Sequence, residues 1–326
     1  MYGVEPGSGL SILTEWLARP YDAERITAAL LGVPTRLARQ LVGAVLATSD
    51  EAERLLAAMP AIVRSMSIAT TDRPERCVGE IRGPVLWSET MSARSASAGD
   101  PGLYVCATTT KAYDTDENRV LKAALSAVSR AGRHAELGME GYSDELVRRA
   151  RHNGQHAGRL LEHQTLALVP VVKPDGRALR RTRAGSRRHT YRPALALLGR
   201  AREPMSALHL EAFADPRTRA LHDLLAATLQ HLEDVTGTAP PLRSDHGGLT
   251  AGPVTFHHPG RAMDRDHVDG IVVGDVLLDI PDPLGADVDA ARARLEARAG
   301  SRRALLATGP QQVEEALALA GVSSRH

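Results

Sequence analysis

Tyr113-Asp114-Thr115-Asp116-Glu117-Asn118-Arg119-Val120-Leu121-Lys122 decides how the middle of this chain folds. Asp114 with Glu117 three residues on is a helix-start signal, in which side-chain oxygens take up N–H groups that the first turn leaves unpaired. Val120, Leu121, Ala124, Leu125 and Val128 follow at helical spacing and predict one apolar face. Just upstream, Tyr104 to Thr110 is rich in β-branched and aromatic types and predicts a strand. Gly79-Glu80-Ile81-Arg82-Gly83-Pro84-Val85-Leu86-Trp87 predicts another, and the small polar residues Ser92 to Gly102 predict a loop between the two.

This combination resembles the McrC-like proteins of prokaryotic modification-dependent restriction and DNA-defence systems. That family carries a G-x-I-x-W-type strand ahead of an aromatic-D-T-x-E-N-R junction, matched here by Trp87 and by Tyr113, Asp114, Thr115, Glu117, Asn118 and Arg119. Pro84-Val85-Leu86 departs from the family, where a more polar segment is usual. The resemblance implies a DNA-associated subunit working beside a nucleotide-driven motor, with a nuclease-type core in its C-terminal half. Read without the resemblance, Asp114, Asn118 and Arg119 cap a helix and tie it to a neighbouring strand, or else take part directly in chemistry.

The chain has 326 residues and is 43% hydrophobic, enough for two or three domains with real cores. No apolar run reaches the length of a membrane span, and Met1 to Pro6 lacks the basic-then-apolar pattern of a leader, so the expectation is a cytoplasmic protein with no membrane partner. Two cysteines, Cys77 and Cys106, are too few for a disulfide framework or a metal knuckle and read as buried thiols. Of 40 basic residues only Lys111, Lys122 and Lys173 are lysine, so arginine carries the positive charge.

Before position 70 the chain reads as helical over Ala23 to Leu31, Thr35 to Ala47 and Asp50 to Met59, and the Leu31 to Thr35 turn reads as an ordinary helical hairpin or, alternatively, a helix-turn-helix. Asp144 to Leu161 predicts a helix with arginines opposite its apolar side. Lys173 to Arg192 is the most basic stretch: Lys173, Arg177, Arg180, Arg181, Arg183, Arg187, Arg188 and Arg192 stand among Ser, Thr, Gly and Tyr191. Such a run suits tracking of a phosphate backbone. An acidic protein face, or plain solvation, would also accommodate it. The McrC-like family likewise places a basic segment ending in Tyr before a helix, as at Tyr191.

Pro216 to Val235 predicts a core helix, and Thr236 to Gly252 a linker. Beyond it Pro253 to His257, Gly270 to Gly274 and Asp275 to Pro281 predict strands, the last two forming a hairpin at Gly274-Asp275. A helix (Ala286 to Ala299), a strand (Arg303 to Ala307) and a helix (Gln311 to Ala320) complete an α/β pattern. Restriction-type nucleases hold Mg²⁺ with an Asp on one strand and a D/E-x-K on the next. Asp269 and Asp279 match the carboxylates as candidate catalytic and metal-binding residues, whereas Asp279-Ile280-Pro281 puts proline where the lysine belongs; the arginines nearest in sequence are Arg265 and Arg292. His257, His258, Asp264, Asp266, His267 and Asp269 offer a second, Zn²⁺ or Mn²⁺, reading or form a polar loop.

The expected architecture is mixed α/β: a helical region at 1–75, a strand-helix McrC-like module at 76–131, a basic helical segment at 132–240 and a degenerate nuclease-like α/β domain at 241–326. The expected role is a DNA-binding or adaptor subunit in restriction or antiviral defence, without catalysis or a firm cofactor of its own. Lacking a G-x-x-x-x-G-K-[ST] loop, it leaves nucleotide chemistry to a motor partner. The alternatives are a divergent Mg²⁺-dependent DNA endonuclease using Asp269 and Asp279, and a structural interaction subunit with no nucleic-acid role.

Overall fold

A computed structural model describes residues 5, 7–135, 144–203, 205–238, 240–245, 248–259, 269–281 and 288–322. The elements run α1 (Gly9–Trp16), α2 (Ala23–Leu31), α3 (Thr35–Ala47), α4 (Asp50–Arg64), β1 (Ala69–Val78), α5 (Trp87–Ala96), β2 (Leu103–Ala112), α6 (Asp116–His134), α7 (Asp144–Leu161), α8 (Gln164–Ala167), α9 (Gly176–Ala184), α10 (Arg188–Arg200), α11 (Ala207–Phe213), α12 (Pro216–Thr236), β3 (Arg243–Asp245), β4 (Gly248–Ala251), β5 (Val254–His257), β6 (Gly270–Val273), β7 (Val276–Asp279), α13 (Val288–Ala299), β8 (Arg303–Leu306) and α14 (Pro310–Leu319). The fold is mixed α+β, as expected. No described helix is long and apolar enough to cross a membrane.

Two compact units emerge, each assembled from separated stretches: Met1–Ser49, Arg130–His152 and Arg200–His326 in one, Asp50–Ser129 and Asn153–Gly199 in the other. The four consecutive regions read from composition cut across them.

The first unit, the sheet unit, is built on six strands in the order β3-β4-β5-β6-β7-β8. Neighbours are antiparallel up to β7, and β8 joins β7 in parallel after the α13 crossover. All of Val276-Leu277-Leu278-Asp279 is buried, which a strand covered on both faces requires. Leu278 joins the main core with Leu13, Leu30, Leu221, Leu225, Phe256 and Leu317. Leu277 points the other way, into a smaller cluster with Leu295 and Ala299 of α13. At the start of α12 the Asp215 carboxylate accepts from Thr218 N at 2.7 Å and Pro216 occupies the first turn, the position where its missing N–H costs nothing. Part of the stretch read as a linker is strand: β3 and β4 extend the sheet beyond β5.

In the second unit, the helical unit, β1 and β2 form a two-stranded antiparallel ribbon, Ala69 opposite Ala112 and Val78 opposite Leu103. The strand expected at Gly79 to Trp87 is instead a turn and a helix start. Gly79 adopts φ 77° and its N–H bonds Gly102 O at 3.0 Å, closing the ribbon. Only Pro84 to Leu86 lies along β2, with Leu86 N on Val105 O and Ala107 N on Pro84 O, both 2.8 Å. Helix α5 then runs from Trp87 to Ala96, into the first half of the expected loop, because Ala93 packs with Leu86, Leu103 and Val105. Cys77 and Cys106 are buried thiols on this ribbon. Helix α4 continues past Met59 to Arg64, with Pro60 inside it.

Candidate nucleic-acid interface

The Tyr113 to Arg119 junction turns out to be a clasp. Thr115, not Asp114, caps α6: Asn118 N donates to Thr115 Oγ1 at 3.3 Å and Arg119 N to Thr115 O at 2.9 Å. Asp114 is drawn one residue out of the cap by Arg119, whose Nε and Nη2 reach its two oxygens at 2.6 and 2.9 Å. This pairing holds the Asp114 carboxyl below its ordinary range. Asn118 is fully buried and uses all its groups: Nδ2 donates to Ser67 O and Tyr113 O, both 2.8 Å, and Oδ1 accepts from Tyr191 Oη at 2.5 Å. Tyr191 Oη in turn accepts from Ser67 N at 2.8 Å. Burial first of all raises the Tyr191 phenol, which stays protonated as this donation requires. Lys122, also buried, donates to Leu166 O and Val169 O at the end of α8.

The junction therefore organises the basic stretch read separately from it. Asn118 holds Tyr191 in α10, Asp116 Oδ2 accepts from Arg181 Nη1 of α9 at 3.1 Å, and Glu117 lies beside Gly185, where an added Cβ would stand 3.6 Å from Glu117 Oε1. Trp87, the remaining motif residue, stands exposed on the first turn of α5, outside the clasp. The basic stretch itself is two helices: Ala178, Leu179 and Thr182 are the buried side of α9, and Tyr191, Ala194 and Leu197 that of α10.

All eight basic residues are exposed, but they divide by partner. Arg181 is tied to Asp116, and Arg187 Nη1 donates to Ser65 O and Met66 O at 2.8 and 2.7 Å. Arg188 Nε rests on His189 Nε2 at 3.4 Å. Lys173, Arg177, Arg180, Arg183 and Arg192 pair with no acidic group among the described residues. Arg177, Arg180, Arg183, Arg188 and Arg192 on two short helices, with Lys173 just ahead of them, raise the local potential for a polyanion.

The sheet unit brings its carboxylates to one sheet end: Asp269 directly precedes β6 and Asp279 closes β7. Burial raises the Asp269 carboxyl, Arg298 opposing and Asp279 adding to the rise. Asp279 is occupied by protein groups. Its oxygens accept from Arg298 Nη1 at 2.9 Å, Arg217 Nη2 at 3.3 Å and Ile280 N at 2.8 Å, and Arg298 Nη2 also donates to Asp269 O. A divalent cation on Asp279 would face two guanidinium groups, so these residues do not fit Mg²⁺. Arg292 pairs with Asp289 and Arg265 lies outside the described residues; among the described residues the arginines that meet Asp279 are Arg217 and Arg298. No spacing in the sequence could have pointed to them, since they come from two helices on either side of the hairpin. Of the second metal reading, Asp264, Asp266 and His267 lie outside the described residues. His258 Nε2 meets Thr218 Oγ1 at 2.8 Å, and no group of three or more ligand-type side chains suited to a metal occurs among the described residues.

No protein-family model matches the chain, and no curated protein matches it significantly.

Proposed function

We propose that this chain is a DNA-binding or adaptor subunit of a McrC-like prokaryotic restriction or antiviral defence system, without catalysis of its own, any ATP or GTP chemistry belonging to a motor partner. One observation carries the reading: Lys173, Arg177, Arg180, Arg183, Arg188 and Arg192 line the outer sides of two helices and the approach to them, without acidic partners among the described residues. The clasp supports it, since Asn118 of the motif that prompted the McrC-like comparison and its neighbour Asp116 hold helices of this basic surface in place. The guanidinium groups on Asp279 weigh against the endonuclease.

A salt titration of the purified chain with labelled duplex and single-stranded DNA, in Mg²⁺ or Mn²⁺ with products run on a gel, tests this. Binding should fall with salt at a log–log slope of about −0.9 per phosphate contacted, or about −5 for this surface. Replacing Arg177, Arg180, Arg183 and Arg188 by Gln should flatten the slope without unfolding the protein, because Arg181 and Arg187 are spared. Cleavage that is lost in Asp279→Ala would establish the endonuclease instead. Absence of binding at low salt would leave the protein-interaction subunit.

A further inference from the structure

Resting on the DNA-binding reading and narrowing it, we infer that α9, the Gly185-Ser186-Arg187 turn and α10 form a helix-turn-helix that reads duplex DNA, with α10 as the helix that enters the major groove. Two helices joined by three residues, one of them glycine, are the size of such a corner. The turn is tight: Gly185 N bonds Arg181 O at 2.8 Å and Arg188 N bonds Gly185 O at 3.1 Å. In that mode the first helix crosses the phosphate backbone and the N-terminal residues of the second meet base edges. The exposed residues divide in the same way. Helix α9 shows solvent Arg177, Arg180 and Arg183. The start of α10 shows Arg188, His189 and Arg192, two arginines able to address the O6 and N7 of guanine in a fork. Along the same stripe the next exposed residues, Ala196 and Gly199, are both small.

Base readout also needs a rigid reader. The first turn of α10 is pinned through Tyr191 to Asn118 and to Ser67 N, and through Arg187 to Ser65 O and Met66 O. The other short corner, at Gly32 between α2 and α3, does not qualify, because Ala38 and Gln40 to Ala47 bury α3 in the core.

The test is selection of the purified full-length chain on a pool of random-sequence duplex DNA, with the same pool as single strands and a duplex RNA as competitors. The expected result is an enriched motif of a few base pairs, with duplex DNA preferred over both competitors. The deep, narrow major groove of duplex RNA would not admit the helix. Arg188→Ala or Arg192→Ala should reduce discrimination at one position of the motif about tenfold. Arg188→Lys should do so with the salt slope kept, since it retains charge and loses the fork. Arg177→Gln, Arg180→Gln and Arg183→Gln together should reduce the slope by about 3 and leave the motif intact. Salt-sensitive binding with no enriched motif, equal binding of duplex RNA, or loss of the motif on changing α9 rather than α10 would overturn the inference while leaving DNA binding standing. Failure to bind any nucleic acid would remove both.

Discussion

Arginine has opposite roles in the two units. In the sheet unit Arg217 and Arg298 converge on Asp279, a carboxylate whose side chain is 4% exposed, and are consumed by it. In the helical unit Arg177, Arg180, Arg183 and Arg192 reach water without such a partner among the described residues. The residue type is the same; whether an acceptor of the fold lies within reach decides whether a guanidinium group is tied down or left in solvent. Arg181 and Arg187 show that the division also runs within one stretch of sequence, since each is bound to its own unit while its neighbours are not.

The largest expected effect breaks the contrast from the sheet side. Asp279→Ala leaves two guanidinium groups without their counter-charge and Ile280 N without its acceptor. It should cost about 3 to 4 kcal/mol in urea unfolding, near the low end for a broken buried pair because both arginines reach solvent. DNA binding should be unaffected, and unchanged stability would show that the arginines do not hold Asp279.

Acid should loosen the sheet unit next. His222 is fully buried with Nε2 on Leu30 O at 2.8 Å, and burial lowers its pKa to about 4. Burial likewise lowers His258, with Arg217 adding to the effect and Asp215 opposing it. Both are neutral in the fold and take up protons more readily when unfolded. The stability from His222 is therefore present above pH 6.5 and lost as pH falls towards 4, roughly 3 kcal/mol, and that from His258 is lost in the same direction. Hydrogen exchange at pH 7 and pH 5 should show protection falling in β5 and α12 before it falls in α6 and α10; the reverse order would contradict it.

Tyr191→Phe probes the clasp and should cost about 2 kcal/mol, because Asn118 Oδ1 and Ser67 N lose their partner in a buried site. Thermal melts read this directly, and a melting temperature equal to the parent's would mean that the clasp carries no stability. Smallest is Arg181→Gln: its pair with Asp116 is half in solvent and is worth at most about 1 kcal/mol. Its value is in sharpening the comparison, since the salt slope of DNA binding should stay as it was, whereas Arg180→Gln next to it should lower the slope by about 1.

Local patterns were legible wherever an element buries one side. Ala23 to Leu31, Thr35 to Ala47 and Asp144 to Leu161 are helices at the residues their apolar spacing indicates. The ribbon strand β1 was not legible, because Thr70 and Asp72 to Arg76 are exposed and no apolar alternation marks the strand. The expected cap at Asp114 lay one residue away, at Thr115, since Arg119 competes for Asp114. The candidate carboxylates Asp269 and Asp279 were visible from the hairpin at Gly274-Asp275, while the groups that neutralise one of them were not.

The sequence by itself determined the mixed α/β class, the hairpin that carries the carboxylates, the missing lysine after Asp279 and the concentration of positive charge between Lys173 and Arg192. Only the tertiary structure decided which arginines are tied to the fold and which, among the described residues, have no acidic partner. Arg217 meets Asp279 across 62 positions of chain and Arg181 meets Asp116 across 65. Periodicity and capping are set by neighbours a few residues away, but charge pairing depends on distances in space, and these exist only once the chain has folded.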